Sequence, residues 1–235
     1  MMTFDGPSSP RLDGLRLVAP LTAEGTALAL RPGDGLVALN GLCFVGDREF
    51  LAAKLATAAG QCLAMTFKRG EAEWTVLAET WHLGVWDAVL SGATAERQPV
   101  FAHLLRNWEI VSATDGRYDL FAQRSSFFTL FMAPLWLMQM RLWGIFAALG
   151  ATVVLGAVVM PLFGAILYMA ASLHVWRIGP SYLRKDRTAL GLTLHVVLAA
   201  GSETEAHAAY KSLFPNGQFI FGTASAATEL ASNAL

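Results

Sequence analysis

The sequence predicts an α+β fold: a strand-rich domain with one helix, then an apolar helical hairpin, then a small β-α-β unit. Three observations carry this. Residues 12–80 alternate short apolar runs with one stretch of helical spacing, punctuated by turn dipeptides. Residues 142–176 are 35 consecutive positions without Asp, Glu, Lys or Arg. Residues 192–221 read as strand, capped helix, turn and strand.

Residues 1–11 form a short arm with no basic region leading into an apolar one, so no secretory signal is expected. Leu15–Val18 is a short apolar strand. Arg31-Pro32-Gly33-Asp34 is a turn, and Leu36–Leu39 is a buried strand ending in the tight-turn pair Asn40-Gly41. Asp47 is placed to cap a helix over about Arg48–Ala59, in which Phe50, Leu51, Lys54 and Leu55 give helical spacing. Gly60 ends it. Cys62–Phe67 and Glu73–Leu77 alternate as two strands joined by Lys68-Arg69-Gly70-Glu71. Cys43 and Cys62 lie in apolar runs and read as buried free thiols.

In residues 81–124, a connecting region, Gly84–Leu90 and Val100–Trp108 read as short helices and Asp115-Gly116 as a turn. Residues 125–141 hold the run Phe127–Met140, interrupted by Pro134. At 14 residues it suits an interfacial or re-entrant helix better than a crossing.

The block 142–176 is too long for one crossing of about 20 residues and slightly short for two. Pro161 and Gly164 lie just past its middle. Two short spans, Leu142–Val158 and about Val159–Trp176, form a hairpin on this reading; one long kinked helix is the alternative. Between Ser125 and Trp176 the only full charge is Arg141, while residues before Ser125 carry 11 Lys+Arg against 14 Asp+Glu. The apolarity is therefore concentrated. Trp136, Trp143 and Trp176 read as anchors at the lipid–water boundary, with Arg141 and Arg177 beside them. Basic residues flank the block on both sides: Arg117 and Arg124 before it, Arg184, Lys185 and Arg187 after it. Both termini are then expected in the cytoplasm of a bacterial inner membrane. Small residues along the block, such as Gly150, Gly156 and Gly164, permit close helix approach and a possible oligomer.

Residues 177–222 follow as a cytoplasmic β-α-β unit. Leu192–Ala199 is a strand, Ser202 with Glu205 fits a capping box opening a helix to Phe214, and Asn216-Gly217 turns into Gln218–Phe221. Residues 223–235 read as a mobile tail.

The string Leu30-Arg31-Pro32-Gly33-Asp34, Leu36–Gly41, then a helix with Phe50-Leu51 and two strands around Arg69-Gly70-Glu71, resembles a bacterial-type PDZ domain over residues 12–80. The resemblance implies a small, partly open β-barrel with a peptide groove between one strand and one helix. Carried onto this chain, the carboxylate-cradling loop falls at Leu12-Asp13-Gly14-Leu15 and the binding strand at Leu15–Ala19, including Leu17. The helix positions facing the groove are Arg48, Leu51, Ala52 and Leu55. Asp13 places a negative charge where a ligand carboxylate would sit. Separately, Ala133-Pro134-Leu135-Trp136-Leu137, Arg141-Leu142-Trp143 and Leu183-Arg184-Lys185-Asp186-Arg187 resemble an uncharacterised family of bacterial inner-membrane proteins over about residues 116–214. That resemblance implies the membrane topology and no activity.

A net charge of -1 gives no basic field for nucleic acid. No nucleophile elbow, zinc-protease motif, phosphate loop or dinucleotide fingerprint occurs, and no cofactor or metal is expected. His174, near the end of the apolar block, reads as interfacial. The sequence thus points to a non-enzymatic inner-membrane adaptor that holds a protein partner. The alternative is a structural accessory subunit of a membrane complex.

Overall fold

The computed structural model describes residues 14–57, 61–89 and 98–222. It is mixed α+β, with two sheets and seven α-helices among those residues. The chain divides into two compact units: residues 1–110 with 194–217, and residues 111–193 with 218–235.

The first unit is built on an open sheet with the strand order β5-β4-β2-β1-β6. Its strands are β1 (Gly14–Leu21), β2 (Gly35–Leu39), β4 (Leu63–Arg69), β5 (Ala72–Ala78) and β6 (Gly84–Val89); the short β3 (Leu42–Cys43) pairs with the end of β2. Asn40 (φ 48) and Gly41 (φ 79) both take left-handed backbone, which the two-residue β2–β3 turn requires. Asn40 then accepts the Ala64 N–H at 2.9 Å, tying the turn to β4. A Cβ on Gly41 would sit 2.1 Å from the Gln98 carbonyl oxygen, so no other residue fits there. Helix α1 (Ala23–Ala27) is capped by the Thr22 side chain, which accepts from Gly25 N–H. Helix α2 (Arg48–Thr57) starts where expected, with Asp47 accepting the Phe50 N–H at 2.8 Å.

The described strands close no barrel. The sheet ends at β5 and β6, so the mixed α+β class holds and the small, partly open barrel implied by the PDZ resemblance is not seen among the described residues. Gly84–Leu90 is also corrected. Residues 84–89 are strand β6, because Val85 points out, Trp86 in and Asp87 out, a period of two rather than 3.6. The second expected helix, Val100–Trp108, is instead a single 3-10 turn, Ala102–Leu104, leading into strand β7 (Arg106–Ser112).

A second sheet has the order β10-β8-β7-β9, with β8 (Arg117–Ala122), β9 (Thr193–Ala200) and β10 (Gln218–Phe219). Helix α7 (Glu203–Leu213) connects β9 to β10. Ser202 accepts the Glu205 N–H at 3.2 Å, and the Glu205 carboxylate reaches back to Gly201 N–H at 2.9 Å. The strand-helix-strand order is as read, but β9 and β10 lie at opposite ends of the sheet with β7 and β8 between them.

In the second unit, residues expected to form one interfacial helix form two: α3 (Phe128–Phe131) and α4 (Ala133–Gln139), broken at Met132 ahead of Pro134. Then come α5 (Trp143–Val159) and α6 (Pro161–Ala189), joined by the single extended residue Met160. Helix α6 does not stop at Trp176. It runs on through Pro180 and the basic stretch to Ala189, and Gly191 (φ 80) follows its end. From Ser172 on, its buried face repeats every three or four residues, at Ser172, Val175, Gly179, Leu183 and Arg187, and Gly164 is buried about two turns earlier. The core of this unit gathers Val111, Phe121, Ala133, Leu137, Leu142, Leu149, Val175, Leu183 and Leu192. The sequence-predicted tail and the loop residues Leu12 and Asp13 lie outside the described residues.

Candidate functional site

Two places concentrate the residues singled out in the sequence. The first is the strand–helix pair of the first unit. Asp34, the acidic residue of the Pro-Gly-Asp turn, is fully buried. The Arg69 guanidinium grips it through two bonds of 2.7 Å, and Arg31 N–H adds a third at 2.8 Å. Arg69 also covers the Trp74 ring. This bidentate pair ties the turn to the β4–β5 hairpin, and it explains why Arg, Gly and an acidic turn recur together in this stretch.

The expected peptide groove is not placed where the resemblance put it. Strand β1 pairs with β2 on one side, at Leu15↔Leu36. On the other it pairs with β6, from Gly14↔Val89 to Val18↔Val85. Among the described residues, β6 fills one edge of β1 along its length, and β2 fills the other over Leu15 and Arg16. Leu15 and Leu17 are buried, as are Leu51 and Leu55. These four are core residues rather than groove walls. Arg48 is exposed and lies over the Trp81 ring, 5.2 Å from its centroid. Gly14 is buried at the start of β1. Sequence reasoning missed β6 because Gly84–Val89 is short and carries Asp87 on its outer face, which disguises the alternation.

His195, on β9, packs against Phe214 with ring centroids 4.5 Å apart, and its Nδ1 lies 3.2 Å from the Tyr210 hydroxyl. Burial of the imidazole, with Arg31 and Arg69 nearby as further cations, holds its pKa below the ordinary value of 6.5. The unfolded chain therefore binds this proton more readily than the folded one. Its contribution to stability is complete above about pH 6.5 and falls as the pH drops below that value. Thermal unfolding between about pH 7.5 and about pH 5.5 should show the midpoint falling with acid, and His195→Gln should flatten that slope.

The second place is the α5–α6 hairpin. Gly156 and Gly164 bring the two helices together: a Cβ on Gly164 would meet the Ala157 backbone and side chain at 2.8 Å. Away from that seam the side chains are apolar and uncovered. Val154, Leu155, Val158, Val159 and Leu162 are between 61% and 80% exposed. Helix α6 is, among the described residues, the one helix long and apolar enough to cross a membrane, and only 22% of its apolar window is buried.

The aromatic and basic residues gather at the other end. Trp143 is exposed and meets Phe146 edge-on. Trp176 is half-buried, edge-on to Phe127. Trp136 is held differently: its ring presses on Gly179 of α6, so it packs the base of the hairpin. Arg177 is exposed. Arg141, exposed with φ 60, stacks on the Phe221 ring at 4.3 Å, and Arg187 stacks on the same ring at 4.9 Å.

Arg187 is buried on α6. It donates to Asp119 of β8, to Asp186 and, at 3.2 Å, to the Met140 carbonyl. No local spacing marks this pair, whose members are 68 residues apart. No group of three or more His, Cys, Asp or Glu able to hold a metal occurs among the described residues. Comparison with protein-family models, curated proteins and solved structures found no match.

Proposed function

We propose that this chain is a non-enzymatic adaptor of the bacterial inner membrane. A PDZ-like domain stands in the cytoplasm with both termini, and the α5–α6 hairpin holds it in lipid. The observation that carries the anchor is the exposure of Val154, Leu155, Val158, Val159 and Leu162 together on one projection. A contiguous apolar surface of this kind marks a membrane or protein contact, whereas a helix serving as the core of a water-soluble domain would be covered. Trp143, Trp176, Arg177, Arg184 and Lys185 lie on the base side of the hairpin, the composition expected on the headgroup and water side of such an anchor.

For the partner, the supporting feature is the terminal position of β6. It ends the sheet, exposes Val85 (47%) and carries Asp87 and Ala88 on its surface. An extended segment pairing with such an edge gains main-chain hydrogen bonds, and alternate side-chain contacts give selectivity. A peptide array against the full chain in nanodiscs tests this. Saturable binding that is lost on Val85→Lys, with thermal unfolding unchanged, is the expected result. Binding indifferent to β6 removes the adaptor reading.

One observation favours a second reading, an accessory subunit without a peptide ligand. The edge of β1 is filled by the chain's own β6, and Leu51 and Leu55 belong to the core. Stable co-purification in a membrane complex, unaffected by Val85→Lys, would select it.

A further inference from the structure

We propose that the hairpin enters the bilayer and turns back inside it, so that Val158–Leu162 end among acyl chains and never emerge on the opposite side. This rests on the membrane reading above and deepens it, because that reading leaves the depth open.

The composition of the tip is the first argument. A hairpin that crossed twice would present its turn to water, where polar and charged residues are favoured. Here the turn reads Val158-Val159-Met160-Pro161-Leu162-Phe163. Val158 and Val159 are about four-fifths exposed (80% and 79%), so nothing in the protein covers them. Between Gly150 and Leu167 the only polar side chain is Thr152, and its hydroxyl donates back to the Ala148 carbonyl at 2.8 Å. The tip offers water no side-chain partner.

Reach is the second argument. Helix α5 has 17 residues, a length of about 26 Å, against a hydrocarbon core of about 30 Å. Much of that length is not free to enter lipid. Leu149 on α5 and Val175 on α6 belong to the same core cluster as Val111 and Phe121 of the second sheet. Farther along, the Tyr168 hydroxyl donates to the Phe131 carbonyl, so α3 braces α6 at that level. Beyond Leu149, ten residues remain on α5, about 15 Å. Beyond Tyr168, seven remain on α6, about 10 Å. Those lengths match one leaflet.

The bracing elements show where the surface lies. Phe127, Phe128, Phe131, Leu135 and Met138 on and around α3 and α4 are exposed. That suits short helices lying in the boundary region, with apolar groups dipping about 5–10 Å. Tyrosine at position 168 fits the same level.

The backbone of the turn is compatible with lipid because it is so short. Met160 N–H donates to the Gly156 carbonyl and Gly164 N–H to the Met160 carbonyl, both at 3.0–3.1 Å. Pro161 has no N–H to satisfy. The single-residue link keeps the exposed main chain of the turn to the last carbonyls of α5 and the Leu162 and Phe163 N–H groups, against a dense set of apolar side chains around them.

The test uses the full chain with Cys43→Ser and Cys62→Ser, a Met160→Cys probe, and Lys185→Cys as a control in a sister chain. A membrane-impermeant maleimide is applied to inner-membrane vesicles of each orientation. The expected result is that Met160→Cys resists labelling from both sides and labels after detergent, while Lys185→Cys labels from one side. In phosphatidylcholine–phosphatidylglycerol vesicles, a bimane on Met160→Cys should be quenched most by lipids carrying the nitroxide deep on the acyl chain. Labelling of Met160→Cys from the side opposite Lys185→Cys, with the protein retained after alkaline carbonate, overturns the inference and leaves the anchor standing. Release by carbonate, with Met160→Cys labelled in the absence of detergent, overturns the anchor and this inference with it.

Discussion

The double substitution Leu155→Arg, Leu162→Arg is expected to release the protein from membranes. Both side chains are more than three-fifths exposed, at 69% and 64%, so neither takes part in packing α5 against α6. The seam between the helices is made by Gly156, Ala157, Gly164 and Leu167, which are untouched. In water the arginines would be harmless surface residues. Deep in lipid each would cost about 2.5–3.5 kcal/mol, and the pair about 5–7 kcal/mol, or about four orders of magnitude in partitioning. Flotation with liposomes reads the effect directly. The variant should remain at the bottom of the gradient while its thermal unfolding keeps the parent midpoint. A variant that still floats would mean that these residues do not touch lipid. One that unfolds would mean that they meet protein in some assembly.

The absence of charge between Leu142 and Trp176 is plain from the sequence, because Arg141 and Arg177 bracket the run and composition is local. The sequence leaves two helices or one long kinked helix open there, and the break between α5 and α6 falls at Met160, ahead of Pro161. The strands β2, β4 and β5 and the helix α2 were legible for a different reason. Their start and stop signals, Asn40-Gly41, Asp47 and Gly70, act within a few residues. The N-cap of α7 at Ser202 was legible in the same way.

What was lost is non-local. Nothing near Gly84 says that this segment completes a sheet beside Gly14–Leu21, with pairs such as Leu21↔Gly84 and Gly14↔Val89 lying more than sixty residues apart, so spacing alone reads β6 as helix. The same omission misplaced the groove: Leu15, Leu17, Leu51 and Leu55 were assigned to a ligand surface, and their burial comes from pairing and packing that sequence spacing does not encode. The end of α6 was misjudged because Arg177 marks where lipid should stop, and a helix has no reason to stop there. Charge is a signal about solvent, and helix termination needs a breaker, which comes only at Gly191.

The other large effect concerns a pair that no local signal announces. Arg187→Leu is expected to destabilise the second unit by about 3–5 kcal/mol. Asp119 and Arg187 are both nearly fully buried, with side-chain exposures of 6% and 3%. Removing the guanidinium takes a buried cationic donor from the Asp119 carboxylate, takes a donor from the Met140 carbonyl and strips one face from Phe221. The loss far exceeds that of an exposed bridge, which is worth about 0–1 kcal/mol. Asp186, on the same arginine, is 44% exposed, and Asp186→Asn should therefore cost about 1 kcal/mol or less. The decisive comparison is the double variant Asp119→Leu, Arg187→Leu. With both charges gone, the core no longer holds the Asp119 carboxylate in the absence of Arg187, and much of the lost stability should return. Unfolding midpoints in detergent, measured for the two single variants and the double, complete the cycle. If the double variant is as unstable as the sum of the singles, the pair is not a coupled clamp. The base of α6 would then be held on β8 by Leu183 and its apolar neighbours alone.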